Sequence, residues 1–152
     1  MNIKTGEFII AFHFQKSIIL RERRKLKRFI TEKLSREGNK CGSEIHFVFC
    51  SDEELLEINR AHLNHDYYTD IITFDLSEKY SCKLVSDIYI SADRVKENAK
   101  LEQVATAIEL QRVIFHGLLH LIGYKDKTRK QEEEMRSMEE KWLNEFLTFS
   151  SK

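Results

Sequence analysis

His116-Gly117-Leu118-Leu119-His120-Leu121-Ile122-Gly123-Tyr124-Lys125-Asp126 is the stretch on which the reading of this 152-residue chain turns. It closes a mostly apolar run over residues 104–122, long enough for a central helix. Histidines four apart on a helix lie on one face, one turn apart. Two imidazoles so placed can close on one cation, at about 2.0–2.1 Å for each Zn–N bond. Gly123 follows at once, and glycine ends helices by taking a positive φ. The chain can then fold back and bring Asp126 to the same point. Three protein ligands leave a coordination position open, as a reactive metal requires.

Glu109, Arg112, His116 and His120 follow one another at spacings of three, four and four, so they share one stripe of the helix. Such a stripe is costly to bury unless its members pair. Two readings stay open: a Glu109–Arg112 ion pair beside ordinary histidines, or a polar groove in which Arg112 meets an anion. An arginine beside a metal suits a phosphodiester, whose charge must be neutralised as a fifth oxygen bonds to phosphorus. Lys125, Lys127, Arg129 and Lys130 add positive potential around Asp126. The zinc-peptidase pattern H-E-x-x-H is broken, because Gly117 stands where its glutamate base belongs.

Outward from the helix, Phe8–Phe14 is apolar and aromatic, a strand. Residues 20–37 form an amphipathic helix with Leu26, Phe29, Ile30 and Leu34 inside. Ile45, Phe47 and Phe49 alternate with His46 and Val48, a strand over 44–50. Ser51 and Glu54 make a capping box that starts the next helix. Residues 71–76 and 84–90 read as strands, Ser91 caps a helix to about residue 100, and residues 128–149 form the last helix. The pattern predicts an α+β fold: a mixed sheet of about four strands with four or five helices.

Length predicts one domain over residues 1–152. No apolar run reaches the roughly 18 residues of a membrane span, and the first seven residues lack a signal-peptide profile, so a cytoplasmic location is expected. Cys41, Cys50 and Cys82 read as reduced thiols rather than a disulfide framework. Net charge is zero with 25 basic and 25 acidic residues, but base gathers between Arg21 and Lys40 and acid in the last helix. The basic helix is a solvated face or a nucleic-acid footprint.

His116-Gly117-x-Leu119-His120-Leu121-x-Gly123-Tyr124 resembles the H-G-x-L-H-L-x-G-Y-D-H signature of the bacterial YbeY family. Asp66-Tyr67-Tyr68-Thr69-Asp70-Ile71-Ile72-Thr73-Phe74 is similar to that family's D-x-P-T-D-V-L-S-F, and Ser86-Asp87-Ile88-Tyr89-Ile90 to its G-D-I-x-I strand. The resemblance implies an α+β fold with a zincin-like metal helix, and a cytoplasmic, metal-dependent, single-strand-specific endoribonuclease acting in rRNA maturation at the small-subunit 3′ end and in ribosome quality control. It implies one zinc per chain held by His116, His120 and the residue ten beyond the first histidine. The implied partners are rRNA, the small ribosomal subunit, and a ribosomal or GTPase protein, with no membrane.

Two positions depart from the pattern. The third ligand, histidine in the family, is Asp126 here, giving a harder and more anionic His₂Asp set; His62 and His65 are the spare candidates. Leu63 stands where the family commonly has an arginine. On this reading Arg112 is the catalytic electrostatic stabiliser, and Glu109 and Asp87 are the candidates for a base. The alternative is a non-catalytic ribosome-assembly factor that binds RNA or protein and carries a structural metal.

Overall fold

Strand β1 (Phe8–Phe14) and helix α1 (Arg23–Arg36) lead into β2 (Gly42–Cys50), in a computed structural model that describes residues 6–65 and 67–150. The chain continues through α2 (Asp52–Leu63), β3 (Ile71–Asp75), β4 (Lys83–Ser91), α3 (Ala92–Glu102), α4 (Thr106–Leu121) and α5 (Arg129–Thr148). Asp66 of the second motif lies outside the described residues, as do Met1 to Thr5 of the N-terminal stretch read for a signal peptide. The four strands form one mixed sheet in the order β1-β2-β4-β3. β1 and β2 run parallel, as do β2 and β4, and β3 is an antiparallel edge. Parallel neighbours need long crossovers, which α1 and the α2–β3 segment provide.

Period-two alternation decides which face each strand buries. Ile10, Ile45, Phe47, Phe49, Leu84, Ile88 and Ile90 meet Leu26, Phe29 and Ile30 of α1, Leu110, Val113, Ile114 and Phe115 of α4, and Trp142 and Phe146 of α5 in the main core. Phe29 stacks edge-on against Trp142 and Phe146, with ring centroids 6.2 and 5.3 Å apart. The opposite face carries a smaller cluster in which Leu55 and Ile58 of α2 cover Cys50, Ile72, Phe74 and Tyr89. The Ser51–Glu54 capping box forms as the sequence indicates, and Thr128–Gln131 repeats it at the start of α5.

One expectation is overturned. Cys41 and Cys82 are joined in a disulfide, with Cα atoms 5.3 Å apart, instead of being separate reduced thiols. The cause is sheet register: Gly42 pairs with Lys83, so the residues just before these two parallel strands stand opposite each other. Cys50 is free and buried, and burial pushes its thiol up to about 12, which makes it inert.

The basic run on α1 is partly matched within the fold. Lys33 pairs with Glu37 at 2.8 Å and with Glu145 of α5, while Lys25 and Lys27 lie over the rings of Phe146 and Phe12. Among the described residues, no helix is long and apolar enough to cross a membrane.

Candidate metal centre

Helix α4 lies against the inner sheet face with its Glu109–His120 stripe turned toward α5 and a cleft. Gly123, at φ +114, closes the helix; Gly123 N–H donates to the His120 carbonyl and Tyr124 N–H to that of Leu119. The reversal delivers Asp126 to the two histidines. His116 Nε2 lies 3.3 Å and His120 Nε2 3.2 Å from Asp126 Oδ2, and the two nitrogens are 3.1 Å apart. Tetrahedral ligands about 2.0–2.1 Å from an ion stand about 3.3–3.4 Å from one another, close to the triangle observed.

The outer nitrogens settle which ring atoms are free. His116 Nδ1 donates to Glu139 Oε2 at 2.6 Å, and His120 Nδ1 donates to the carbonyl of Tyr124 at 3.0 Å. A carboxylate and a carbonyl only accept, so both Nδ1 atoms carry the proton. Two Nε2 lone pairs and a carboxylate oxygen therefore converge, an arrangement that repels itself unless a cation or a proton sits among them. His116, His120 and Asp126 could hold a metal ion, and neither His62 nor His65 belongs to a three-ligand group among the described residues. His62 packs edge-on against Phe74, while His65 faces Tyr67.

Glu139, which the sequence reading counts only among the acids of the last helix, is the residue behind His116. It is 2% exposed on α5, and Arg112 Nη1 donates to its other oxygen at 2.9 Å. Arg112 also donates through Nε to Glu109 at 2.9 Å and through Nη2 to that residue's second oxygen. Of the two readings open for Arg112, the ion pair with Glu109 forms, and Glu139 takes a third nitrogen. Burial works against the charged guanidinium, yet these two carboxylates hold its pKa above the usual value. A signal for Glu139 existed in the sequence: it lies in line with Met135, Trp142 and Phe146, the one charge on the buried side of α5.

Neither carboxylate named as a base candidate is placed for that work. Glu109 is buried and held by Arg112. Asp87 alternates with Ser86 and Ile88, so it faces away from α4 on the other side of the sheet. Asp70, at the head of β3, is a carboxyl of the cleft wall, which Asp75 and Asp126 also line; burial raises its pKa against the opposing pull of His116 and Arg112. The cleft, about 730 Å³, is lined by Asp70, His116, His120 and Asp126 with Tyr67 and Lys127.

Gly117 has a steric reason to differ from the peptidase glutamate. A Cβ there would lie 2.8 Å from Ile71 Cδ1 and 3.4 Å from Thr73 Oγ1, facing the sheet rather than the cleft. Gly117→Glu therefore buries an unpaired carboxylate in the core, and urea unfolding is expected to show a loss of about 4 kcal/mol or more with no peptidase activity gained. Gly117→Ala crowds chiefly the movable end of Ile71, and better helix propensity offsets the crowding to within about 1 kcal/mol.

Charge in the network makes stability depend on pH. Burial pulls His116 toward its neutral form, but the hydrogen bond and charge of Glu139, with Asp126 and Asp70, outweigh it and raise the pKa above 6.5. Burial pushes Glu139 upward, but His116 and Arg112 prevail and hold it below 4.5. The histidine's contribution is complete below 6.5 and is lost as pH climbs through its folded pKa; the glutamate's is complete above 4.5 and is lost as pH falls through its own. Asp70, raised by burial, works against stability as pH rises past 3.8 and trims the acid-side gain. The melting temperature of the metal-free protein is thus expected to peak between the ordinary values of 4.5 and 6.5, and Glu139→Gln to flatten both flanks. Divalent metal opposes the alkaline decline, because its ligands must be deprotonated.

The architecture and this group define a class: α+β proteins with a mixed sheet whose central helix carries a candidate metal centre. The family model described as Endoribonuclease YbeY matches residues 11–147, and the chain belongs to the YbeY family. A Cytophaga hutchinsonii protein named Endoribonuclease YbeY is 47% identical over 138 residues, covering 91% of this chain and 95% of that protein. One of the same name from Flavobacterium psychrophilum is 42% identical, covering 91% and 96%. The solution structure of a Thermotoga maritima protein aligns with a TM-score of 0.57 at 27% identity, covering 91% of this chain and 89% of that one.

Proposed function

We propose that this chain is a metal-dependent, single-strand-specific endoribonuclease, one domain over its whole length, that matures rRNA at the small-subunit 3′ end and serves ribosome quality control. The observation that carries the reading is the triangle of His116, His120 and Asp126, with edges of 3.1–3.3 Å, in the wall of an open cleft. Family membership supplies the reaction: the relatives are named endoribonucleases. In this reading the ion is one zinc per chain; a structural zinc would call for four protein ligands, and three converge here. The partners are rRNA and the small subunit, with a ribosomal or GTPase protein. The compartment is the cytoplasm, where the partly exposed Cys41–Cys82 bond is open to reduction.

A divalent cation at this centre supplies Lewis acidity toward a phosphate oxygen and makes water acidic enough to attack. The chain's residues prepare that chemistry. His116 and His120 present Nε2 lone pairs in fixed tautomers, and Asp126 adds the negative charge that suits a dication. Glu139 orients His116, and Arg112 holds Glu139, so Arg112 stabilises charge through the ligand set rather than by direct contact with the phosphate. Asp70, with its raised pKa and its place in the cleft wall, exchanges protons with water or the leaving oxygen.

The test is cleavage of a labelled single-stranded RNA by zinc-loaded protein, beside the same RNA in a duplex. Cleavage of the single strand, stopped by a chelator and restored by metal, is expected. Cleavage that persists in chelator, or that consumes duplex equally, would contradict the proposal.

A further inference from the structure

Tyr67 and His65 occupy the same cleft wall as the three candidate ligands. Their rings are stacked, with centroids 5.1 Å apart and planes at 22°, and Tyr67 Oη lies within hydrogen-bond distance of His65 Nδ1, at 3.0 Å. Tyr67 is nonetheless 56% exposed, a large ring left in water at the mouth of a cleft. Its position is fixed from beneath. Asn59, 1% exposed on α2, donates its side-chain amide to the Tyr67 carbonyl at 2.8 Å, and its own carbonyl accepts from His65 N–H at 3.2 Å. The buried Asn59 thus holds the backbone on both sides of the stack, at Tyr67 through its side-chain amide and at His65 through its main-chain carbonyl.

We infer that the His65–Tyr67 stack is a binding subsite for one unpaired nucleobase, which lies on the tyrosine ring while its phosphate reaches toward His116, His120 and Asp126. The inference rests on the endoribonuclease reading for the strand's identity. A base offers its π-face to an aromatic ring only when it is not stacked inside a duplex, so the ledge selects single strands. The Tyr67 hydroxyl is engaged by His65, which leaves the ring rather than a polar tip to meet the base and makes the contact tolerant of sequence. Lys127 lines the same cleft, and its ammonium has no carboxylate partner among the described residues, so it is available to the phosphate.

The experiment measures binding by fluorescence anisotropy, with a labelled single-stranded RNA, the DNA of the same sequence and an RNA duplex, against native protein, Tyr67→Ala and Tyr67→Phe. Base stacking of this kind predicts that Tyr67→Ala weakens single-strand binding about 10-fold, for RNA and DNA alike, with Tyr67→Phe within about 3-fold of native. Melting temperatures of both variants are expected to match the native protein, because the ring is exposed. Unchanged binding by Tyr67→Ala overturns the proposal, as does an equal loss for duplex. A loss confined to RNA assigns the residue to the 2′-hydroxyl and overturns stacking. Binding is read without cleavage: a native protein that cuts no RNA defeats the nuclease reading alone, and one that cuts RNA while Tyr67→Ala binds normally defeats the subsite alone.

Discussion

Glu139→Ala is expected to destabilise the protein by about 3 kcal/mol and to weaken its divalent-metal affinity by about 10–100-fold. Both effects follow from burial. The Glu139 side chain is 3% exposed and joins Arg112 on one oxygen to His116 on the other. Its removal leaves an arginine that is 18% exposed with Glu109 alone, and leaves His116 Nδ1–H without an acceptor. Breaking a buried pair costs about 3–5 kcal/mol, and the lower end applies because Glu109 still partners Arg112. The metal effect has a different origin. Without its anchor the His116 ring can rotate or change tautomer, so ordering it must be repeated at each binding event. Glu139→Gln keeps the shape and one acceptor but loses the charge, so it should fall between native and alanine in urea unfolding and in metal titration alike. Native metal affinity in Glu139→Ala would show that the ligands need no such support.

The second large effect separates chemistry from folding. His120→Ala removes one corner of the triangle, and cleavage of single-stranded RNA is expected to drop about 1,000-fold, the loss of several kcal/mol of transition-state stabilisation. Its side chain is 32% exposed, and among the described residues its one hydrogen bond outside the triangle goes to the Tyr124 carbonyl, so unfolding should change by about 1 kcal/mol or less. Glu139→Ala and His120→Ala therefore form a contrasting pair: the first weakens the fold and the site together, the second the site alone. A His120→Ala protein that cleaves at the native rate would mean that the chemistry lies elsewhere.

What the sequence made legible was local. The spacing of His116 and His120, the glycine turn at Gly123 and the return to Asp126 span eleven residues, and helical periodicity is enough to bring them together. Phe8–Phe14 and the Ser51–Glu54 capping box emerged for the same reason. What stayed hidden depends on partners far along the chain. Glu139 reaches His116 only because α5 packs on α4, and Cys41 meets Cys82 only because β2 and β4 are parallel neighbours in register. Asp87 turned out to face away from α4, since strand alternation says that two residues share a face but not which helix covers it. Arg112 is the instructive case. Its stripe with Glu109 and His116 was visible, but its dependence on a carboxylate from another helix was not.

The central claim is that His116, His120 and Asp126 hold one catalytic cation. Elemental analysis of the purified protein after zinc loading and desalting, run beside Asp126→Ala, tests it most directly. The account predicts about one zinc per native chain, with most of it lost from a folded Asp126→Ala variant. A native protein that retains no metal, or an Asp126→Ala variant that retains a full equivalent, would contradict it.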